Sequence, residues 1–233
     1  MVEVIIMKEF LVNFIKLFLS IIIILFIEEY FFKVLSLVGI NLSINTFIKL
    51  IIYVLEFIFI YIIYGEEIRS AFNKYQNKFG SNLLYTIVSY IIVFIAMMIV
   101  NYLVKIIASN LDMTYNGLNF INIFKEPFSL DLIVTFIVDM LIIPFVKVAI
   151  FVLGINNLVK GKAGSIICGL SYAIYTGFLL GGNFGVVFID IIDECILFIL
   201  LSYVYKKNGN ITFSILTYIF YVLFSALIMA KLL

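Results

Sequence analysis

Residues 83–108 read LLYTIVSYIIVFIAMMIVNYLVKIIA, a stretch with one formal charge, Lys105, and neither proline nor glycine. As an α-helix it runs about 39 Å, more than the roughly 30 Å of hydrocarbon in a bilayer. Its apolar residues go all the way round, so it has no polar face to turn to water, and lipid is its natural solvent. Working outward, apolar runs bounded by charge, Asn and Gly recur near 9–27, 46–64, 130–153, 163–181, 185–204 and 211–230. With 83–108 these predict about seven spanning helices, hence an all-α polytopic membrane helix bundle. The spans consume most of the 233 residues, so 1–233 is read as a single integral membrane domain without an internal repeat.

Composition points the same way. Apolar residues make up 65% of the chain and charged ones 12%, which places it outside the soluble globular class. A net charge of +1 supplies no basic stripe to neutralise phosphates, which argues against a nucleic-acid partner. The two cysteines, Cys168 and Cys195, lie within apolar runs and read as small packing residues. Without any histidine they imply no metal site and no cofactor. No small-residue cleavage site follows the first apolar run, so it is read as a membrane helix and not as a signal peptide. The excess of Ile, Phe, Asn and Lys over Ala, Gly and Arg looks like the product of an AT-rich bacterial genome, which makes the bacterial plasma membrane the expected location.

Charge in the loops sets the expected orientation. With Met1 inside, the inner loops carry Lys8, Arg69, Lys74, Lys78, Lys160, Lys162, Lys206 and Lys207, and the outer ones Lys33, Lys125 and Lys231. This asymmetry predicts a cytoplasmic N-terminus and an outer C-terminus. After the second span, Ile68, Phe72, Tyr75 and Phe79 recur at helical spacing opposite Arg69, Asn73, Lys74, Gln76 and Lys78. This predicts a separate cytoplasmic helix lying in the headgroup layer, or a solvated connecting helix. Residues 109–129 are the longest outer loop. Asp112, Thr114, Asn116 and Gly117 there mimic a calcium loop, but Ile123 stands where the bidentate Glu belongs, so it reads as a turn.

Ionisable groups at membrane depth are the candidate functional residues, because each costs about 2.5–3.5 kcal/mol to insert and needs a partner, water or a neutral state. They are Glu56, Asp139, Lys147, Asp190, Asp193 and Glu194. Asp190, Asp193 and Glu194 stack on one helix face at i, i+3 and i+4, and Lys147 is their expected partner. A buried ion pair, a cation or proton site, and the remnant of a catalytic centre are the three readings of this cluster. Glu56 shares a face with Tyr53 and Tyr64, which reads as interhelical hydrogen bonding. Small residues at i, i+4, namely Gly164 with Cys168, Gly169 with Ala173 and Gly177 with Gly181, predict close helix packing.

Three further stretches carry a family likeness. Pro144-Phe145-Val146-Lys147-Val148-Ala149-Ile150-Phe151-Val152 lies on the fourth predicted span, and Tyr172-Ala173-Ile174-Tyr175-Thr176 on the fifth. Tyr205-Lys206-Lys207-Asn208-Gly209-Asn210-Ile211 precedes the last, which bears Tyr218 and Val222. Over about 118–227 the chain resembles the CPBP family, the CAAX-protease and bacteriocin-processing membrane proteins also called Abi proteins. Those enzymes carry Pro then Glu-Glu-x-x-Phe-Arg, next Phe-x-x-x-His, and last His-x-x-x-Asn/Asp. Here Pro144 and Phe151 are kept. Lys147 and Val148 replace the two Glu, Val152 replaces Arg, Thr176 replaces the first His, and Tyr218 and Val222 occupy the last motif. The resemblance implies a catalytically degenerate member. In the family a Glu is implied to activate water and His to stabilise the oxyanion, and Lys, Val, Thr and Tyr supply no such set. The implied role is binding of a partner helix, a peptide or a lipid in a vestigial intramembrane cavity, as in bacteriocin immunity or partnership with a cell-envelope enzyme. A protease with displaced residues and a small transporter or ion-pathway protein are the alternatives.

Overall fold

The computed structural model describes residues 2–27, 46–110, 130–180 and 184–232. Among them the chain is helical, with seven helices and no strand. Helix α1 is Val2–Leu25, α2 Thr46–Gln76, α3 Phe79–Asn110, α5 Lys162–Leu180, α6 Phe184–Asn208 and α7 Ile211–Leu232. Helix α4 runs as one span from Leu130–Ile137 through Ile143–Lys147 to Ile155–Leu158, with π-helical turns at Val138–Ile142 and Val148–Gly154. The helix order matches the hydropathy reading. Residues 28–45, 111–129 with the calcium-loop mimic, and 181–183 with Gly181 lie outside the described residues.

Three of these helices are long and apolar enough to cross a membrane: Phe79–Asn110, Leu132–Leu158 and Ile211–Ile228. Helix α1 carries Lys8, Glu9 and Lys16, and α6 carries Asp193 and Glu194. Helix α3 turns most of its surface outward, with Tyr85, Ile92, Met98 and Tyr102 exposed. Such an apolar rim is tolerable only against lipid. Helices α4 and α7 are the buried centre, and all seven residues of Val148–Gly154 are buried.

The first π turn of α4 has a local cause. Pro144 has no N–H to give to the carbonyl four residues back, and its ring crowds that carbonyl. The preceding turn widens, and the Ile143 N–H bonds the Val138 carbonyl, five residues back.

One expectation fails. Residues 65–76 do not form a separate interfacial helix; they continue α2 without a break. Gly65 is helical and buried, so it punctuates nothing. Ile68 and Tyr75 are buried in the protein, with Tyr75 hydrogen-bonded to Thr86 Oγ1 at 2.9 Å and edge-on to Phe213 at 5.1 Å. The amphipathic stripe arises because one face packs on α3 and α7, while Phe72 and Phe79 stay exposed.

Short connections make neighbours antiparallel. The Asn208-Gly209-Asn210 corner shows how. Gly209 takes φ +62° and its N–H bonds the Tyr205 carbonyl at 2.8 Å, closing α6 with a left-handed residue. The Asn210 side chain accepts from the Thr212 N–H at 2.9 Å, capping α7, and donates to the Ala71 carbonyl of α2 at 2.8 Å. Helices α5 and α6 pack closely because Gly169 has no side chain: a Cβ there would stand 2.4 Å from the Cys195 carbonyl oxygen.

Candidate functional site

The four late helices turn most of the predicted positions toward one another. Lys147 lies one turn past Pro144, and its Nζ stands 5.5 Å from the Tyr172 ring centroid and 5.8 Å from that of Tyr175. Two π faces therefore hold one ammonium, each contact worth about 0.5–2 kcal/mol. Phe151, a turn further on, meets Tyr172 edge-on at 5.0 Å. Tyr172 stacks on Phe198 of α6 at 3.6 Å, and Phe198 meets Tyr218 of α7 edge-on at 5.6 Å. A relay of rings thus runs α4, α5, α6, α7, and it is buried throughout.

Acidic groups flank this relay. The Thr176 hydroxyl donates to Glu194 Oε2 at 2.7 Å, tying α5 to α6. Asp193 is fully buried, and its Oδ1 accepts the Glu194 N–H at 2.8 Å. Tyr218 sits within the electrostatic reach of Lys147, Tyr172, Glu194 and Tyr221. Tyr221 in turn neighbours Asp193, Glu194, Asn101 of α3 and Ser225. Lys147, Tyr172, Thr176, Asp193, Glu194 and Tyr218 therefore share one neighbourhood. Within it Lys147 and Glu194 are half-buried, not sealed.

The remaining predicted residues fall around this centre. Val148 and Val152 are buried core on α4, and Val222 is buried on α7. Glu56 is buried on α2, and Asp139 is half-buried on the first π turn of α4, against which α2 packs. Asp190 lies on α6 a turn before Asp193, with its side chain outside the described residues. Tyr221, Asn101, Tyr175 and Phe198 complete the centre and were not among the sequence candidates. Tyr221 was legible as one turn beyond Tyr218 on the same face, and Asn101 as the lone amide in the apolar stretch 83–108.

Among the motif positions the rings of Phe151, Tyr172, Phe198 and Tyr218 pack against one another. A hollow of about 380 Å³ opens elsewhere, between α1 and α2, walled by Ile22, Phe26, Ile52, Leu55 and Phe59. Its lining offers only hydrocarbon contact. The centre itself offers an ammonium, two carboxylates, hydroxyls and an amide. It has no imidazole, since the chain has none. No family model, no curated protein and no solved structure matches the chain.

Proposed function

We propose that this chain is a non-catalytic, CPBP-like membrane protein with all seven helices spanning. In this reading it works by binding a partner helix, peptide or lipid against its late spans. The observation that carries the reading is the meeting of Lys147, Tyr172, Thr176 and Tyr218, residues of three separate helices, in one neighbourhood. Lys147, Thr176 and Tyr218 stand where the resemblance puts the family's base and histidines, and Tyr172 where it puts the Phe. Lys147 replaces an acid that would activate water, and its ammonium donates where a base must accept. Rings pack against one another in the middle, so the partner engages the half-buried edge that Lys147 and Glu194 leave open. Charges kept at membrane depth are held for recognition or transport and not for stability, since apolar substitutes pack at least as well. In physiological terms this is the role of an immunity protein or of a membrane partner to a cell-envelope enzyme.

The test is co-purification of the tagged protein in mild detergent beside Lys147→Met at matched expression. One protein, peptide or lipid species retained by the parent and lost from Lys147→Met is the expected result. A parent that elutes with nothing, or a variant that retains the same species equally, overturns the reading. A second reading, an ion pathway, is favoured by the two carboxylates beside Lys147. It predicts cation or proton flux in proteoliposomes that Asp193→Asn abolishes.

A further inference from the structure

We propose that the cytoplasmic ends of α1, α2 and α4 enclose a site for a bound water molecule, held between Tyr64 and Glu67 beside Lys16. Lys16 Nζ of α1 bonds Glu67 Oε1 of α2 at 2.6 Å, and the same ammonium lies 5.9 Å from the centroid of the Tyr64 ring. Tyr64 and Glu67 are three residues apart on α2 and so share a face. Two polar atoms of this face are buried and meet no partner at full hydrogen-bond geometry among the described residues: the Tyr64 hydroxyl and Glu67 Oε2. Tyr64 is 1% exposed. Its side-chain neighbour Ser20 already donates to the Lys16 carbonyl at 2.7 Å.

Glycine at 154 makes this burial possible. A Cβ there would stand 2.6 Å from the Tyr64 hydroxyl oxygen, so α4 approaches α2 only because that position is bare.

The charges around the two atoms decide the ligand. A cation is disfavoured because Lys16 already neutralises the Glu67 carboxylate, and an anion because the carboxylate faces it. A small neutral molecule that both donates and accepts satisfies both groups: it donates to Glu67 Oε2 and accepts from the Tyr64 O–H. Glu67 is a third exposed along its side chain, which gives water a route in from the cytoplasmic side. The site is separate from the Lys147 centre and stands or falls independently of the proposed function.

A hydroxyl buried without a partner destabilises, whereas one bridged by water stabilises, so Tyr64→Phe has opposite signs in the two cases. Thermal unfolding of the purified protein is the measurement. The expected result is a Tm lower by about 2–6 °C in Tyr64→Phe, and no further drop when the same change is made on Glu67→Ala. A Tm that is unchanged or raised in Tyr64→Phe overturns the site. So does a map of the parent protein, resolved well enough to show other ordered waters, with no density within hydrogen-bonding distance of both atoms, or with density of a larger molecule there.

Discussion

Replacing Gly169 by alanine tests the helix pair that carries half of the site. The added Cβ would meet the Cys195 carbonyl oxygen at 2.4 Å and Ile199 Cγ1 at 2.5 Å. Ordinary carbon–oxygen and carbon–carbon contacts lie about 3.3–4.0 Å apart. The isoleucine can turn aside, but the carbonyl belongs to the α6 backbone and is fixed by its own helix. Helices α5 and α6 must therefore separate by about 1 Å, and a gap of that size forfeits a quarter to a half of the dispersion energy along the seam. An overpacked core site costs about 1–3 kcal/mol. For a chain of this length each kcal/mol lowers Tm by about 2–4 °C, so a drop of about 2–12 °C is expected. The assay is thermal unfolding in detergent, with Gly80→Ala as the control. Gly80 is helical, with nothing within 4 Å of an added Cβ. Alanine there relieves backbone entropy, and Tm should hold or rise slightly. If Gly169→Ala melts with Gly80→Ala, the close approach of α5 and α6 is not real.

Two further outcomes follow from single contacts. Thr176→Val removes the hydroxyl that donates to Glu194 while keeping shape; it should cost about 1–3 kcal/mol, with Thr176→Ser restoring most of the loss, both read by denaturant or thermal unfolding. Asn210→Ala removes the α7 cap and the tie to Ala71 together, for about 1–3 kcal/mol, whereas Asn210→Asp should keep the cap and lose only the tie, a ranking checked by comparing the three Tm values.

How much of this was legible beforehand depends on the kind of signal. Stretches apolar enough to span announce themselves through length and composition, and α3, α4 and α7 fall where hydropathy puts them because nothing else in the chain competes. The Asn208-Gly209-Asn210 corner was readable for a related reason: a left-handed glycine and a capping asparagine act within four residues. The end of α2 was misread because an amphipathic stripe records that one side is apolar, not what covers it. Ile68 and Tyr75 meet protein where a headgroup layer was expected. That Lys147, Tyr172 and Tyr218 lie on apolar helical runs was legible, while the stacking of Tyr172 on Phe198 was not. Spacing fixes which face a residue takes but not which ring of a neighbouring helix fills the gap. Asn101 and Tyr221 were overlooked because neither carries charge, and their value comes from the helices they join.

Helix α2 has a mechanical property that its length confers. It is one unbroken rod of 31 residues, about 46 Å, where about 30 Å suffices to cross hydrocarbon. Tyr64, which abuts bare Gly154, is a natural point about which to reckon its leverage. Tyr75 lies about 16 Å to one side of that point and Glu56 about 12 Å to the other. Rocking the rod by 1 Å at Tyr75 about that point shifts Glu56 by about 0.7 Å in the opposite sense. A push on Arg69 to Gln76 is thus felt by a carboxylate in the interior, without any segment having to unfold.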